Sequence, residues 1–201
     1  MLHDLYLDFD GVIWDTLPLL NKIIYEADAK LYYRMVNKTL TPEDEVKKRQ
    51  IYKLANWELI LRNSGPLNNS IDWINELHKT GMFNMASLTH CNSTNEALNK
   101  TKLIANEAPY LKVIPVMKPA SKTTVVDARG AILVDDFGGN LREWKAEGGI
   151  SIKFSLKEES NNGFYNITSL REIRDIMSII KMNEELHNGS PVKTIKQNNN
   201  Y

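Results

Sequence analysis

Five short apolar runs, separated by segments of helical period, constrain the fold of this 201-residue chain more than any other feature. The runs occupy residues 5–7, 82–89, 111–116, 131–134 and 150–154. Runs of this length are typical of buried strands, and helices between them can cover both faces of a parallel sheet. The sequence therefore predicts an α/β protein with a parallel five-stranded sheet.

The first and second runs are unusually far apart. Roughly seventy residues separate them, whereas a plain crossover between parallel strands needs about a dozen. Helices are predicted near residues 17–36 and 42–62, the second opening with a capping pair formed by Thr41 and Asp44. We therefore expect a small helical cap at residues 17–75, inserted after the first strand.

The remaining parts of the chain form the predicted core and tail. The core consists of residues 1–16 and 76–186. The tail, residues 187–201, is polar and rich in Asn, and it is predicted to be disordered.

Composition bears on which partners the protein binds and in which cellular compartment it is expected. Lys and Arg together number 25, as do Asp and Glu, so no overall charge attracts nucleic acid or an anionic membrane. A basic group in the cap keeps nucleic acid open but not favoured: Lys47, Lys48, Arg49 and Lys53. The single cysteine and the lack of a signal segment or membrane-length apolar run suit a soluble, cytoplasmic protein.

Two pairs of carboxylates follow apolar runs. Asp8 and Asp10 end the first run, and Asp135 and Asp136 end the fourth. Taken alone, the first pair is also compatible with a tight turn. The second pair is also compatible with a solvated turn in which Asp136 or Asn140 caps the next helix. If the two strands are neighbours, four carboxylates converge on one crevice, which is costly without a cation. Mg²⁺ with a phosphorylated substrate is the natural occupant.

The same residues resemble a known family. The stretch DFDGVIWDT is similar to the first signature of the haloacid dehalogenase-like (HAD) phosphohydrolases, and ILVDD is similar to the fourth. Thr89 fits the hydroxyl residue of the second signature, with Ser87 as the competing choice. Lys122 fits the lysine of the third, with Lys118 as the competing choice.

This resemblance implies a fold and a mechanism. The fold is a Rossmann-like HAD core whose first strand is central, with the second and third strands on one side and the fourth and fifth on the other. Asp8 would be the nucleophile that forms an aspartyl-phosphate, and Asp10 the acid and base. Thr89 and Lys122 would complete the catalytic group. The implied Mg²⁺ ligands are Asp8, Asp10, Asp135 and Asp136.

The substrate is predicted from a narrower resemblance. The stretch ILVDDFGGNLREWKAEGGISIKF looks like the corresponding part of 5'(3')-deoxyribonucleotidases, which implies a small (deoxy)nucleoside monophosphate. Thr89, His90 and Lys122 would line the phosphate pocket, and Trp14 and Trp57 could stack on a base. A sugar phosphate or the phosphate at a nucleic-acid end remains an alternative. A catalytically inactive phosphate-binding or regulatory protein is the alternative outside enzyme chemistry.

Overall fold

The structure is a computed structural model, and it describes residues 2–157 and 163–188. Within these residues six parallel strands form one sheet in the order β3-β2-β1-β4-β5-β6. The strands are β1 (His3–Leu7), β2 (Phe83–Cys91), β3 (Lys112–Met117), β4 (Ile132–Asp135), β5 (Ile150–Phe154) and β6 (Tyr165–Ile167).

Eight α-helices accompany the sheet in the described residues. They are α1 (Leu17–Ala27), α2 (Ala29–Val36), α3 (Pro42–Leu54), α4 (Trp57–Arg62), α5 (Ser70–Lys79), α6 (Thr94–Glu107), α7 (Gly138–Ala146) and α8 (Ile173–Asn188). The predicted α/β class and the predicted order of the first five strands are confirmed. The strand count is six rather than five, because a three-residue segment too short to stand out in the sequence pairs with β5.

The centre of the sheet is buried on both faces. Leu5 and Leu7 of β1 are fully buried, and all four residues of β4 are buried. Such continuous burial is what helices on both faces of a parallel sheet produce. The main-chain nitrogen of Asp8 donates to the carbonyl of Val134 at 2.9 Å, so pairing continues to the point where β1 ends. The carboxyl ends of β1 and β4 therefore lie side by side.

The four helices between β1 and α5 are shorter than predicted. One helix over residues 17–36 is wrong, because the Asp28 carboxylate accepts a bond from the nitrogen of Leu31 at 2.9 Å and starts α2. One helix over residues 42–62 is also wrong, because Asn56 caps α4 in the same way.

The predicted start of α3 is confirmed. Thr41 Oγ1 accepts from the nitrogen of Asp44 at 3.2 Å, and the Asp44 carboxylate accepts from the nitrogen of Thr41 at 3.1 Å. These two reciprocal bonds are the capping box that the sequence spacing predicts.

The inserted helices have a small apolar cluster of their own, which contains Leu20, Trp57 and Ile60. The predicted cap boundary at residue 75 falls inside α5, whose Ile74 and Leu77 pack in the main core. Of the predicted tail, residues 187 and 188 end α8, and residues 189–201 lie outside the described residues. Within the described part of the chain, no helix combines the length and apolar character needed to cross a membrane.

Candidate active site

Three carboxylates meet where β1 and β4 end. Asp8, Asp135 and Asp136 each place one oxygen within 4.8 Å of the other two, and we call them the acidic cluster. Asp8 and Asp135 are buried and Asp136 is partly buried. The structure thus brings together three of the four metal ligands that the resemblance implies.

Lys122 lies within the acidic cluster. Its Nζ is 2.9 Å from Asp8 Oδ1 and 2.6 Å from Asp135 Oδ2. Asp135 is fixed in turn, because Asn140 Nδ2 donates to Oδ2 and the nitrogen of Phe137 donates to Oδ1, both at 2.8 Å. Burial opposes the ammonium form, but the charges of Asp135 and Asp8 outweigh it, so the pKa of Lys122 is raised. Lys122 is therefore a buried cation held against the predicted nucleophile.

These contacts separate the competing sequence interpretations. Lys122, rather than the exposed Lys118, touches the carboxylates. Neither Asp136 nor Asn140 caps α7, whose N-cap is Phe137 without a side-chain bond. Asn140 instead orients Asp135.

The acidic cluster has the electrostatic character of a cation site. Burial, together with the charges of Asp8 and Asp135, raises the pKa of Asp136 to about 8. The buried Oδ1 of Asp8 has the ion-paired Lys122 as its partner, at 2.9 Å, and no other hydrogen-bond donor in the described residues. Three carboxylate oxygens within 4.8 Å of one another are the kind of donor set that a hard divalent cation prefers. The residues present therefore fit Mg²⁺.

Asp10, the fourth predicted ligand, belongs to a different group of side chains. Its Oδ1 accepts from Thr16 Oγ1 at 2.7 Å, and its Oδ2 lies 2.5 Å from Lys100 Nζ. The same Nζ is 2.8 Å from Glu96 Oε1 and 3.2 Å from Thr89 Oγ1. We call Asp10, Thr89, Glu96 and Lys100 the Lys100 network. The carboxylate of Asp10 is thus engaged outside the acidic cluster.

Lys100 is completely enclosed. Its exposed fraction is 0%, and its Nζ lies 5.2 Å from the centre of the Phe9 ring and 4.9 Å from that of Trp57. Burial opposes the charged form, but Asp10 and Glu96 outweigh it, so the pKa of Lys100 is raised. The network therefore contains a permanent positive charge beside Asp10.

Lys100 and Glu96 were not predicted from the sequence as residues of the site. An amphipathic pattern would bury the apolar residues of this helix, yet Leu98 is 50% exposed. The buried residues of α6 are instead Glu96, Lys100 and Ile104, spaced four apart. That spacing was the available signal, but charged pairs four residues apart usually lie on a solvated helix face.

The other residues predicted for the second strand end have different surroundings. Ser87 and Thr89 are both fully buried. Thr89 lies two residues closer to the end of β2, so its hydroxyl is the one nearer the strand end. His90 Nε2 lies 3.0 Å from the carbonyl of Ala120. Burial and the nearby lysines lower the pKa of His90 to about 4, so it is neutral at pH 7. Burial raises the pKa of Cys91 to about 12, which excludes a thiolate nucleophile at neutral pH.

The two tryptophans predicted to stack on a base lie in the core. Trp14 is 4% exposed and Trp57 is 1% exposed. Their indole nitrogens donate to the carbonyls of Leu61 and Tyr52 respectively. In this conformation neither ring presents a free face to a ligand.

Among known proteins, solved structures of similar fold were found. No protein-family model matches the sequence, and no curated protein does. Among solved structures, a HAD phosphatase from Thermococcus onnurineus has 17% sequence identity and a TM-score of 0.61, covering 88% of this chain and 98% of that one. A hydrolase from Pseudomonas syringae has 12% identity and a TM-score of 0.63, covering 88% and 99%.

A HAD-hydrolase from Bacillus subtilis, bound to magnesium, has 14% identity and a TM-score of 0.58, covering 88% of this chain and 98% of that one. At such low identities the likeness establishes the fold and not the activity. The fold is that of the HAD hydrolases, as the sequence signatures imply.

Proposed function

We propose that this chain, which has the HAD fold, is a Mg²⁺-dependent phosphatase that hydrolyses a small phosphate monoester through an aspartyl-phosphate on Asp8. The observation that carries the proposal is the acidic cluster. The buried carboxylate of Asp8 lies 2.9 Å from the buried ammonium of Lys122 at the end of the central strand, within 4.8 Å of oxygens of Asp135 and Asp136. A purely structural ion pair would not need the third, strongly perturbed carboxyl of Asp136.

The acidic side chains divide the chemistry between them. A carboxylate oxygen of Asp8 forms a bond to phosphorus as the bond between phosphorus and the ester oxygen breaks. Asp10 donates a proton to the departing oxygen. It then takes a proton from the water that attacks the aspartyl-phosphate, which releases inorganic phosphate and restores Asp8.

Charge balance comes from Lys122 and the cation. Lys122 opposes the negative charge of Asp8 and Asp135 and can hold a phosphoryl oxygen. Asp8, Asp135 and Asp136 would hold Mg²⁺, which when bound neutralises charge on the phosphoryl group. Asp135 orients Lys122 and is itself oriented by Asn140.

We further propose a (deoxy)nucleoside monophosphate as the substrate. The support is the resemblance of residues 132–154 to deoxyribonucleotidases, together with Tyr52 on the inserted helix α3. Burial raises the pKa of Tyr52 to about 12, and the charge of Asp10 contributes to that shift. Tyr52 is partly buried against the apolar cluster of the inserted helices, so it is the aromatic residue of the cap that we propose contacts a base in place of Trp14 and Trp57.

The basic residues of the cap favour a small substrate over a polymer. Lys47 Nζ is 2.5 Å from Asp28, and Lys48 Nζ is 2.8 Å from Glu45. Because acidic partners already balance these two cations, the surface has less free positive charge for a nucleic-acid backbone.

The test is phosphate release from a panel of deoxy- and ribonucleoside monophosphates, sugar phosphates and 5'- or 3'-phosphorylated oligonucleotides. Wild type should release phosphate only with Mg²⁺, and fastest from one of the nucleotides. Asp8→Asn should abolish release, whereas Asp127→Asn, which alters an exposed carboxylate, should not.

Other outcomes identify the alternatives. Faster release from a sugar phosphate or an oligonucleotide would correct the substrate and leave the chemistry in place. Binding of phosphate by folded, Mg²⁺-loaded wild type without any release would overturn the proposed activity in favour of a binding protein.

A further inference from the structure

We propose that Lys100, held by Glu96, is a positioning residue that fixes the orientation of Asp10 for proton transfer. The inference rests on the function proposed above. Both residues belong to α6 and lie outside the acidic cluster. Lys100 contacts Asp10, the predicted acid and base, directly, and Glu96 contacts it through Lys100.

The two oxygens of Asp10 are held by different donors. Thr16 Oγ1 lies 2.7 Å from Oδ1, and Lys100 Nζ lies 2.5 Å from Oδ2. Two donors on opposite oxygens define the plane of a carboxylate and restrict its rotation. Removal of Lys100 would leave only the Thr16 bond at this carboxylate among the side-chain contacts of the described residues.

Lys100 is itself fixed by an ordered partner. Glu96 Oε1 lies 2.8 Å from Lys100 Nζ. Glu96 Oε2 accepts from the main-chain nitrogen of Asn92 at 2.7 Å and from Asn92 Nδ2 at 3.2 Å. A continuous series of contacts therefore runs from the end of β2, through Glu96 and Lys100, to Asp10.

Lys100 cannot act as a substrate-binding residue, because its side chain is completely buried beneath Phe9 and Trp57. Stability does not account for its charge either. Well-packed apolar residues of similar volume often replace a buried ion pair without loss of stability. The contact with Asp10 is what an apolar residue could not reproduce.

The experiment compares two phosphate esters in the first chemical step. A nucleoside monophosphate needs a proton on its departing alkoxide, whereas p-nitrophenyl phosphate releases a stable phenolate without one. Rapid-quench single-turnover reactions, with enzyme in excess, measure leaving-group release before the aspartyl-phosphate is hydrolysed. The first step must be measured separately because the second step, in which Asp10 activates water, is the same for both esters.

Lys100→Met should slow leaving-group release from the nucleotide about 100-fold, the order of magnitude of general acid catalysis. Release of p-nitrophenolate should fall less than about 10-fold. The KM for both esters should stay within about 3-fold of wild type, since Lys100 does not touch substrate. Lys100→Arg should recover part of the lost rate, and Lys102→Met, at an exposed position of the same helix, should match wild type.

Equal losses on the two esters would overturn the inference, because a general distortion of the site would slow both. If Lys100→Met does not fold, Glu96→Leu/Lys100→Met removes both charges and undergoes the same comparison. The inference alone would be refuted if wild type turns over, Asp8→Asn abolishes that turnover, and Lys100→Met loses the same factor on both esters. No wild-type turnover would refute the proposed function instead.

Discussion

At Gly11 the backbone leaves β1 through a turn where an added Cβ would collide with the ends of two neighbouring side chains. Its φ is +73°, a region that L-residues adopt at a cost. A Cβ placed there would lie 2.7 Å from Leu17 Cδ1 and 2.8 Å from Asp136 Oδ2. Because Gly11 has no side chain, Leu17 at the start of α1 and Asp136 of the acidic cluster can both pack against this turn.

We predict that Gly11→Ala abolishes most phosphate release by displacing Asp136. Gly130→Ala is the matched control, because Gly130 has a φ of +69° but nothing within 4 Å of its added Cβ. Both substitutions should lower the free energy of unfolding by about 1 to 2 kcal/mol. Only Gly11→Ala should also weaken Mg²⁺ binding, measured by calorimetry. Full activity in Gly11→Ala would contradict the assigned contact with Asp136.

The raised pKa of Asp136 predicts how pH affects the metal-free protein. Burial, and repulsion by Asp8 and Asp135, raise this pKa from 3.8 to about 8. Between these values the native state holds a proton that the unfolded state has lost, so stability falls as pH rises. Denaturant titrations in EDTA should show this loss between pH 5 and pH 8, and Mg²⁺ at pH 8 should reverse it.

Asp136→Asn should reduce the loss of stability between pH 5 and pH 8. Asp127→Asn should leave that loss unchanged, because the neighbouring Arg129 lowers the pKa of Asp127 to about 2. The same pH dependence in wild type and Asp136→Asn would show that another group is responsible.

At the scale of elements, helix α6 uses charged residues where an amphipathic helix normally uses apolar ones. Glu96 and Lys100 precede Ile104 at intervals of four, and all three are buried. Because two carboxylates contact one ammonium, removal of the lysine alone leaves buried negative charge without a partner.

We therefore predict that two variants of α6 differ in their free energy of unfolding. Lys100→Met should lower the free energy of unfolding by about 3 to 5 kcal/mol, the cost of breaking a buried pair. Glu96→Leu/Lys100→Met should recover most of that loss, because the fully buried Glu96 charge is gone and only the partly exposed Asp10 lacks its cation. Urea titrations measure both. A double variant as unstable as the single one would show that the charges themselves stabilise the fold.

Local sequence signals predicted some element boundaries and not others. The spacing of Thr41 and Asp44 correctly located the start of α3, because both partners of a capping box lie within four residues. The break at Asp28 was missed, since an Asp within an apolar period is equally compatible with an exposed helical position. The choice depends on packing that no local pattern records.

At the scale of the whole molecule, the sheet order explains why much of the acidic cluster could be predicted. Short apolar runs indicated five of the six strands. The family signatures then placed the ends of β1 and β4 side by side, which brings Asp8 close to Asp135 and Asp136. Lys122 was predicted from its signature and contacts two of these carboxylates.

The remaining features depend on distant contacts. Lys100 meets Asp10 across ninety positions of the chain, and neither residue type nor local period indicates that meeting. Trp57 looked available to a ligand in the sequence because its exposure is set by tertiary packing, which covers it with Leu20, Ile60 and Lys100. Sequence signatures therefore located the carboxylates of the acidic cluster, and the structure was needed to find what holds Asp10.

The most direct test of the proposed chemistry is to locate the transferred phosphate. Wild type would be mixed with Mg²⁺ and its best phosphate ester, quenched in acid within the first turnover, digested and examined by mass spectrometry. We predict phosphate on the Asp8 side chain, absent with EDTA and absent in Asp8→Asn. Steady phosphate release with no phosphorylated aspartate at any quench time would contradict the aspartyl-phosphate mechanism.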